Sequence, residues 1–371
     1  MSKQIEFIVM WIAIIILMYI STFHNKISKK NQNIIILLMV ILFSVFYGYR
    51  TLGMDLRNYI SYYDRMTISG LRTRLQFTNL LSNEYEPLFL LVTYIAKNVG
   101  FSAQQWLLTM VVFPSLICFY YIKKNKYPLV TFMMFMLIMM FQIDLTRFYL
   151  AVPFLLISFI TKHKSVKYFC YIIALGFHYS AIFVLFCDIV SKIKWTKRKY
   201  FILFCVVLCG AIFLRLIDLS ALSESSFRLL FKFQYYLKQS WSSSDAPFVL
   251  QVLLILINVY PIIMCNYICN NLNSYKIINS EFNLEYIEKI SAYLKLGVYV
   301  SCLLVVFWGS FQMGFRLLLM TYFYLFIPLG DSIGPYLKNG VIRGIGIRLI
   351  ASIFLYDIFM AIYYLAISIY Y

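Results

Sequence analysis

The sequence is poor in charged residues. Only 13% of its 371 residues are Asp, Glu, Lys or Arg, whereas 62% are hydrophobic. Soluble domains carry about 25% charged residues, so a soluble fold is excluded for most of the chain. Apolar runs of about 20 residues, the length of a membrane span, recur from end to end. The sequence therefore predicts an all-α, polytopic integral membrane helical bundle of about 10–12 transmembrane segments, forming one transmembrane domain over 1–371.

The sequence also lacks the motifs of the common soluble enzymes. It contains no P-loop, no dinucleotide-binding glycine fingerprint, no G-x-S-x-G and no H-E-x-x-H. No D-x-D pair is present, which argues against a metal-dependent sugar-nucleotide transferase. The eight cysteines form no C-x-x-C pair and lie in or beside apolar runs, so we interpret them as small buried hydrophobes. We expect neither a metal nor a cofactor.

Acidic residues are scarcer than basic ones, and the formal net charge is +18. The basic residues fall in short clusters between apolar runs, at 26–30, 123–126, 162–167, 192–199 and 338–348. Such clusters are typical of the cytoplasmic loops of membrane proteins. We therefore expect no nucleic-acid partner, and we place these clusters in the cytoplasm.

This placement predicts an unusual path for the run 168–190. Basic clusters flank it on both sides, so it cannot cross the membrane once. We expect a re-entrant helical hairpin that bends at Gly176-Phe177-His178 and is buried against protein. The run 86–99 is short for a span and is interpreted as a tilted helix or a hairpin arm. The resulting topology predicts loops outside the cytoplasm at 50–85 and 218–246, and a cytoplasmic loop at 270–292.

The stretch from Gly48 to Tyr59 follows a long apolar run and opens the first sizeable polar loop. It holds Arg50, Asp55 and Arg57, and we expect its glycines to let the backbone turn. In a chain this apolar, such a cluster must face water or a wet cavity. Arg50 and Arg57 are candidates for binding phosphate, because a guanidinium donates hydrogen bonds in a fixed bidentate geometry. The later arginines of the loop are interpreted as solvated: Arg65, Arg72 and Arg74.

Two further arginines lie at ends of apolar runs on the same predicted side. Arg147 follows a very short turn, with Asp144 within reach as a partner. Arg316 lies near Gln312 in an apolar stretch without a nearby carboxylate. Each either extends its charge to the lipid headgroups or binds an anionic ligand, which would offset the cost of an unpaired cation. Both interpretations stay open.

Three titratable residues are candidates for proton transfer or for orienting a cation. His178 is either a hydrogen-bonded packing residue or a general base. Asp55, four residues before Tyr59, either takes a proton from a substrate hydroxyl or orients a neighbouring arginine. Glu86 precedes Pro87, and we favour a helix cap over a catalytic role there.

Several of these elements, taken in order, resemble the EpsG family of membrane polysaccharide polymerases, which are related in kind to Wzy-type O-antigen and capsule polymerases. The signature is carried by Gly48-Tyr49-Arg50, then Gly53-Met54-Asp55, then Tyr59. Three further parts of the sequence resemble elements of the family: Arg147 followed by Ala151, the stretch Phe177-His178-Tyr179-Ser180-Ala181, and Arg316 followed by Tyr322. Two positions depart from the family pattern: Leu56, where an aromatic is frequent, and Phe148, where glutamine is frequent.

The resemblance implies glycosyl transfer on the outer face of the bacterial cytoplasmic membrane. Donor and acceptor would be glycans on polyprenyl pyrophosphate, among membrane lipids and with a chain-length regulator as a candidate partner. The product would be a capsule, an O-antigen or an exopolysaccharide. The catalytic candidates are Asp55, His178 and Arg147. The candidates for binding pyrophosphate or sugar are Arg50, Arg57, Tyr59, Arg316, Gln312 and Glu86.

Two other functions compete with this interpretation. A flippase or transporter for lipid-linked oligosaccharides would place charges near the middle of the bilayer and often contain inverted repeats. Here the polar candidates lie at predicted helix ends, which favours an enzyme. A membrane O-acetyltransferase would need a polar donor site on the cytoplasmic side, and the loop 270–292 does not suggest one.

Overall fold

The computed structural model describes residues 26–49, 56–76, 85–139 and 146–191, with scattered positions in 9–20 and 198–210 and residues 292 and 296. These ranges contain helices and no strand, in agreement with the all-α prediction. The helices delimited there are α1 (Lys29–Gly48), α2 (Leu56–Arg65), α3 (Ile68–Arg74), α4 (Pro87–Val99), α5 (Ala103–Ile122), α6 (Pro128–Met139), α7 (Thr146–Ile160), α8 (Lys164–Phe177) and α9 (Ala181–Ser191).

Helices α1 and α5 are long and apolar enough to cross a membrane, at 20 residues each. That length corresponds to about 30 Å, the thickness of the hydrocarbon core. The two helices pack side by side, and Gly48 lies at their contact. A Cβ at Gly48 would lie 2.6 Å from Leu108 Cδ1 and 2.9 Å from its Cα. The expectation that Gly48 turns the backbone is therefore wrong: it is the last residue of α1, and it lets α5 approach.

Helix α7 lies at the centre of the described bundle. Eleven of its 15 residues are buried, and it contacts α5, α8 and α9. The hydroxyls of Tyr149 on α7 and Ser115 on α5 are 2.6 Å apart, so two buried polar groups satisfy each other. Arg147, the second residue of α7, is thereby placed at the end of a largely buried helix.

Helix α4 is fixed at both ends by its sequence. It begins with Pro87, whose missing N–H costs nothing in the first turn. It ends before Gly100, which has a φ of 81° and closes the helix in the left-handed region. Its 13 residues span only about 20 Å. The predicted short run at 86–99 is therefore a short helix, packed against α3 and α8.

The predicted break in the run 168–190 is present. Helix α8 ends at Phe177 and α9 begins at Ala181. Lys167 near the start of α8 pairs with Asp188 near the end of α9, at 2.5 Å between Nζ and Oδ2. The start of α8 and the end of α9 can meet in this way only if the chain reverses between them, at His178–Ser180. Helices α8 and α9 thus form a hairpin, packed on α7.

Candidate active site

Glu86 is the centre of a polar cluster formed by three distant segments. Its Oε2 atom accepts a hydrogen bond from Arg147 Nη1 at 2.7 Å. Its Oε1 atom lies 3.1 Å from His178 Nδ1 and accepts from the Tyr179 backbone N–H at 3.3 Å. Only 4% of the carboxylate side chain is exposed. The start of α4, the start of α7 and the bend of the α8–α9 hairpin therefore meet at one carboxylate.

The interpretation of Glu86 as a helix cap is confirmed for its position but not for its side chain. Glu86 does occupy the position before α4, but its side chain makes no capping hydrogen bond. The reason is electrostatic. A buried carboxylate gains more from a guanidinium and an imidazole than from one backbone N–H.

Arg147 is held from two sides. Its Nε donates to the Tyr59 hydroxyl at 3.1 Å, while Nη1 donates to Glu86. Its guanidinium carbon lies 5.0 Å from the ring centre of Tyr85 and 5.9 Å from those of Tyr59 and Phe89. These contacts fix the plane of the group. A guanidinium has five N–H donors, and the other three make no hydrogen bond within the described residues.

Arg147 also remains partly open. Its side chain is 23% exposed, far more than the carboxylate it binds. Asp144, the partner expected from sequence, lies outside the described residues. The described partner, Glu86, is 61 residues away along the chain.

His178 is placed by the bend of the hairpin. It follows the last residue of α8 in extended backbone, and its carbonyl accepts from Ala181 N, where α9 begins. Its ring lies edge-on to Phe148 at 5.8 Å between centres and is 16% exposed. Gly176 makes this placement possible, because a Cβ there would lie 2.7 Å from Cγ and Cδ1 of Leu88. The close approach of α8 to α4 brings His178 to Glu86.

Glu86 is a fixed negative charge. It precedes α4 and lies outside the helical spans. Burial raises the pKa of its carboxyl, but the Arg147 guanidinium and the hydrogen bond from His178 outweigh burial and lower that pKa from 4.5 to about 2. An ionised carboxylate only accepts hydrogen bonds, so the hydrogen between Glu86 and His178 belongs to Nδ1. In the neutral ring, Nε2 is then the basic nitrogen.

Aromatic residues form one wall beside the cluster. Tyr85 lies 4.2 Å from Tyr62 and 5.4 Å from Phe89 between ring centres. Phe89 also contacts Trp106 at 5.8 Å between ring centres, and Trp106 stacks on Tyr63 at 4.7 Å. The Tyr63 hydroxyl donates to the carbonyl of Phe101 at 2.7 Å. These contacts attach α2 to α4 and α5, and so hold Tyr59 against Arg147.

The remaining predicted site residues fall into two groups. Arg57 is exposed on α2, whereas Tyr59, two residues later, is buried toward Arg147. Arg65 and Arg72 are exposed, as expected of solvated residues, and Arg74 is half-buried. The other candidates and the two later predicted loops lie outside the described residues: Arg50, Asp55, Gln312, Arg316, 218–246 and 270–292.

Sequence reasoning missed the role of Glu86 as a shared partner, and it missed Tyr85. The available signal was the scarcity of carboxylates, only 15 in the chain. Glu86 borders an apolar run, and a carboxylate at such a place needs a cation. Among the described residues, no three His, Cys, Asp or Glu side chains cluster as metal ligands would.

Comparison with known proteins gives one match. The model of the EpsG family matches residues 33–371, nearly the whole chain. No curated protein and no solved structure matches.

Proposed function

The chain belongs to the EpsG family, a Wzy-like family of polysaccharide polymerases, and we propose that it polymerises oligosaccharide repeat units carried on polyprenyl pyrophosphate into a surface polysaccharide. The observation that supports this proposal best is the joining of Arg147 and His178 through Glu86. Polymerisation from such a donor needs a base for an alcohol and a cation for a leaving pyrophosphate. A partly exposed imidazole and a partly exposed guanidinium supply these two groups side by side.

In the proposed reaction, a hydroxyl oxygen of the acceptor glycan attacks the anomeric carbon of the donor. The bond from that carbon to the pyrophosphate oxygen breaks, and the electron pair leaves with the polyprenyl pyrophosphate. The hydroxyl proton passes to Nε2 of His178, which later releases it to water. Asp55 stays an alternative acceptor for this proton.

The arginines are proposed to bind the anionic donor. The three remaining N–H groups of Arg147 match phosphate or sugar oxygens, and Arg50 and Arg316 are proposed to complete the pyrophosphate site. Tyr59, Arg57 and Gln312 are proposed to contact the glycan. Glu86 is proposed to contribute only through Arg147 and His178, since its carboxylate is almost fully buried and cannot touch the substrate.

The proposed reaction takes place on the outer face of the bacterial cytoplasmic membrane. The α8–α9 hairpin is short for two spans, with 14 and 11 residues, or about 21 and 16 Å. We propose that the hairpin is re-entrant and that both of its ends lie at the basic clusters on the cytoplasmic side. His178, at the bend, then points toward the outer face. Cysteines introduced as His163→Cys and Thr196→Cys should then both react with a reagent applied from the cytoplasmic side. Labelling from opposite sides would contradict this path.

The proposed function is tested by reconstitution. Purified protein in liposomes is supplied with a lipid-linked repeat unit, and glycan length is followed on gels. We expect Arg147→Ala and Arg316→Ala to lower the extension rate at least ~100-fold, as loss of a group that stabilises developing charge does. Arg65→Ala is the control, because it removes an exposed arginine that makes no contact with the described cluster at Glu86.

Two results would overturn the proposal. Polymer of normal length from both Arg147→Ala and Arg316→Ala would show that these arginines do not form the proposed site. Repeat units that accumulate on the cytoplasmic side of a strain lacking this protein would indicate a flippase instead.

A further inference from the structure

The two oxygens of the Glu86 carboxylate bind residues of two different segments of the chain. One oxygen binds Arg147 on α7, and the other binds His178 at the hairpin bend. The side chain of Glu86 is 4% exposed, whereas those of Arg147 and His178 are 23% and 16% exposed. A substrate can therefore reach the two partners but not the group that joins them.

This geometry allows only one tautomer of the neutral His178 ring. Nδ1 carries the hydrogen that is shared with Glu86, so Nε2 is left as the proton acceptor. The Tyr179 N–H donates to the same carboxylate oxygen and holds that oxygen against the hairpin backbone. The arrangement thus determines which ring nitrogen carries the hydrogen.

Resting on the function proposed above, we propose that Glu86 is a positioning residue for glycosyl transfer, which sets the tautomer of His178 and orients Arg147 through one carboxylate. It does not touch the substrate. Its effect is to make the base and the cation one rigid unit whose open sides face the glycan.

The charges of the unit support this role. With His178 neutral, Glu86 and Arg147 cancel, and the unit carries no net charge. When Nε2 takes the proton of the acceptor hydroxyl, the unit becomes cationic by one charge. At that moment the donor bond breaks and negative charge appears on the leaving pyrophosphate. Loss of the Glu86 charge would leave a cation in the resting state, and the hydrogen of the His178 ring would no longer be held on Nδ1.

The test compares Glu86→Gln with the wild type in reconstituted liposomes. The amide of Gln has one acceptor and one donor end, so it cannot accept from both Arg147 and His178. With its NH2 group toward His178, the ring carries its hydrogen on Nε2 and cannot act as a base. We expect kcat to fall at least ~100-fold, with KM for the lipid-linked unit changed less than about threefold.

The pH profile distinguishes positioning from mere structure. In the described residues, the charged or titratable groups that face His178 and Glu86 are Arg147 and Tyr179, and Tyr59 lies behind them against Arg147. Removal of the carboxylate disfavours the protonated ring, so the acid limb of the kcat profile should move to lower pH in Glu86→Gln. Asp188→Asn is the matched control. It removes another buried, paired carboxylate, and it should lower thermal stability without moving the profile.

Coupling gives a second readout. If Glu86 acts through His178, the loss in Glu86→Gln/His178→Asn should be far smaller than the product of the two single losses. Losses that multiply would overturn the proposal. A Glu86→Gln variant with wild-type kcat would do the same.

A measurement on the wild-type protein keeps the proposal testable if Glu86→Gln does not fold. The chain has three histidines, so the tautomer of His178 can be read from nitrogen-15 solid-state NMR spectra, with His178→Asn identifying its signal. We expect hydrogen on Nδ1 near neutral pH, and hydrogen on Nε2 would refute the proposal. Wild-type protein that extends no glycan would refute the proposed function instead, leaving the tautomer result unaffected.

Discussion

The contact between Gly176 and Leu88 allows a sharp test of how the cluster is assembled. Gly176 lies two residues before His178, and Leu88 lies two residues after Glu86. A Cβ added at Gly176 would lie 2.7 Å from both Cγ and Cδ1 of Leu88. Carbon atoms are most favourable at about 3.5–4.0 Å, so Gly176→Ala must separate α8 from α4 by roughly 0.8 Å or displace the leucine.

The expected magnitude follows from the neighbouring hydrogen bond. His178 Nδ1 and Glu86 Oε1 are 3.1 Å apart. If the two helices move apart by roughly 0.8 Å, the distance between these two atoms increases to about 3.9 Å, which is too long for a hydrogen bond. Misplacement of a catalytic group by about 1 Å costs about 100-fold in rate. Overpacking costs about 1–3 kcal/mol of stability, so Gly176→Ala should fold and extend glycans slowly.

A second substitution should restore the rate. Leu88→Ala removes Cγ and Cδ1 and leaves only Cβ, which lies at an ordinary contact distance of 3.4 Å. Gly176→Ala/Leu88→Ala should therefore return to within about fivefold of Leu88→Ala alone. Extension rates and thermal unfolding are measured for the wild type and the three variants. A folded Gly176→Ala variant with wild-type rate, or a double variant no faster than Gly176→Ala, would refute the reasoning.

Gly48 supplies the comparison for this experiment. A Cβ there would meet the Cα of Leu108 at 2.9 Å as well as its side chain. Trimming the side chain by Leu108→Ala leaves the backbone clash in place. Gly48→Ala should therefore lower the melting temperature with or without Leu108→Ala, in contrast to the rescue at Gly176.

Two further predictions concern charge. The ionised Glu86 contributes stability that is fully present above pH 4.5 and is lost as the pH falls toward about 2, because folding lowers the pKa of its carboxyl. The difference in melting temperature between the wild type and Glu86→Gln should therefore become smaller as the pH is lowered from 5 to 3. A difference that stays constant would contradict this prediction. Reversal of the hairpin pair as Lys167→Asp/Asp188→Lys should recover most of the stability that either single change loses, by thermal unfolding in detergent. Additive losses would show that the pair does not close the hairpin.

The helices could be predicted from sequence wherever apolar runs are bounded by strong signals. The run 103–122 coincides with α5, which begins with a capping box between Ser102 and Gln105. The break after Phe177 was predicted from basic clusters on both sides of one run. The extension of α8 back to Lys164 was not, because a lysine-rich first turn has no apolar periodicity.

The partners within the site could not be predicted in the same way. Asp144 was expected to pair with Arg147 because the two residues are close in sequence. The carboxylate that binds Arg147 in the structure is Glu86, which precedes another helix. The role of Gly48 was misjudged for a related reason. A glycine that turns the backbone and a glycine that admits a neighbouring helix look alike until the neighbour is known.

The cost of burying Glu86 explains why the family elements are spread along the chain. An unpaired buried carboxylate would be strongly destabilising, and Glu86 is paired by donors from two distant segments. Helix α7 brings Arg147, the hairpin brings His178 and the Tyr179 N–H, and α2 brings Tyr59 to hold Arg147 in place. Packing of the helices and assembly of the reactive groups are then the same event. The side chains of Arg147 and His178 are partly exposed, and they are the two groups that the proposed transfer from a pyrophosphate donor would use.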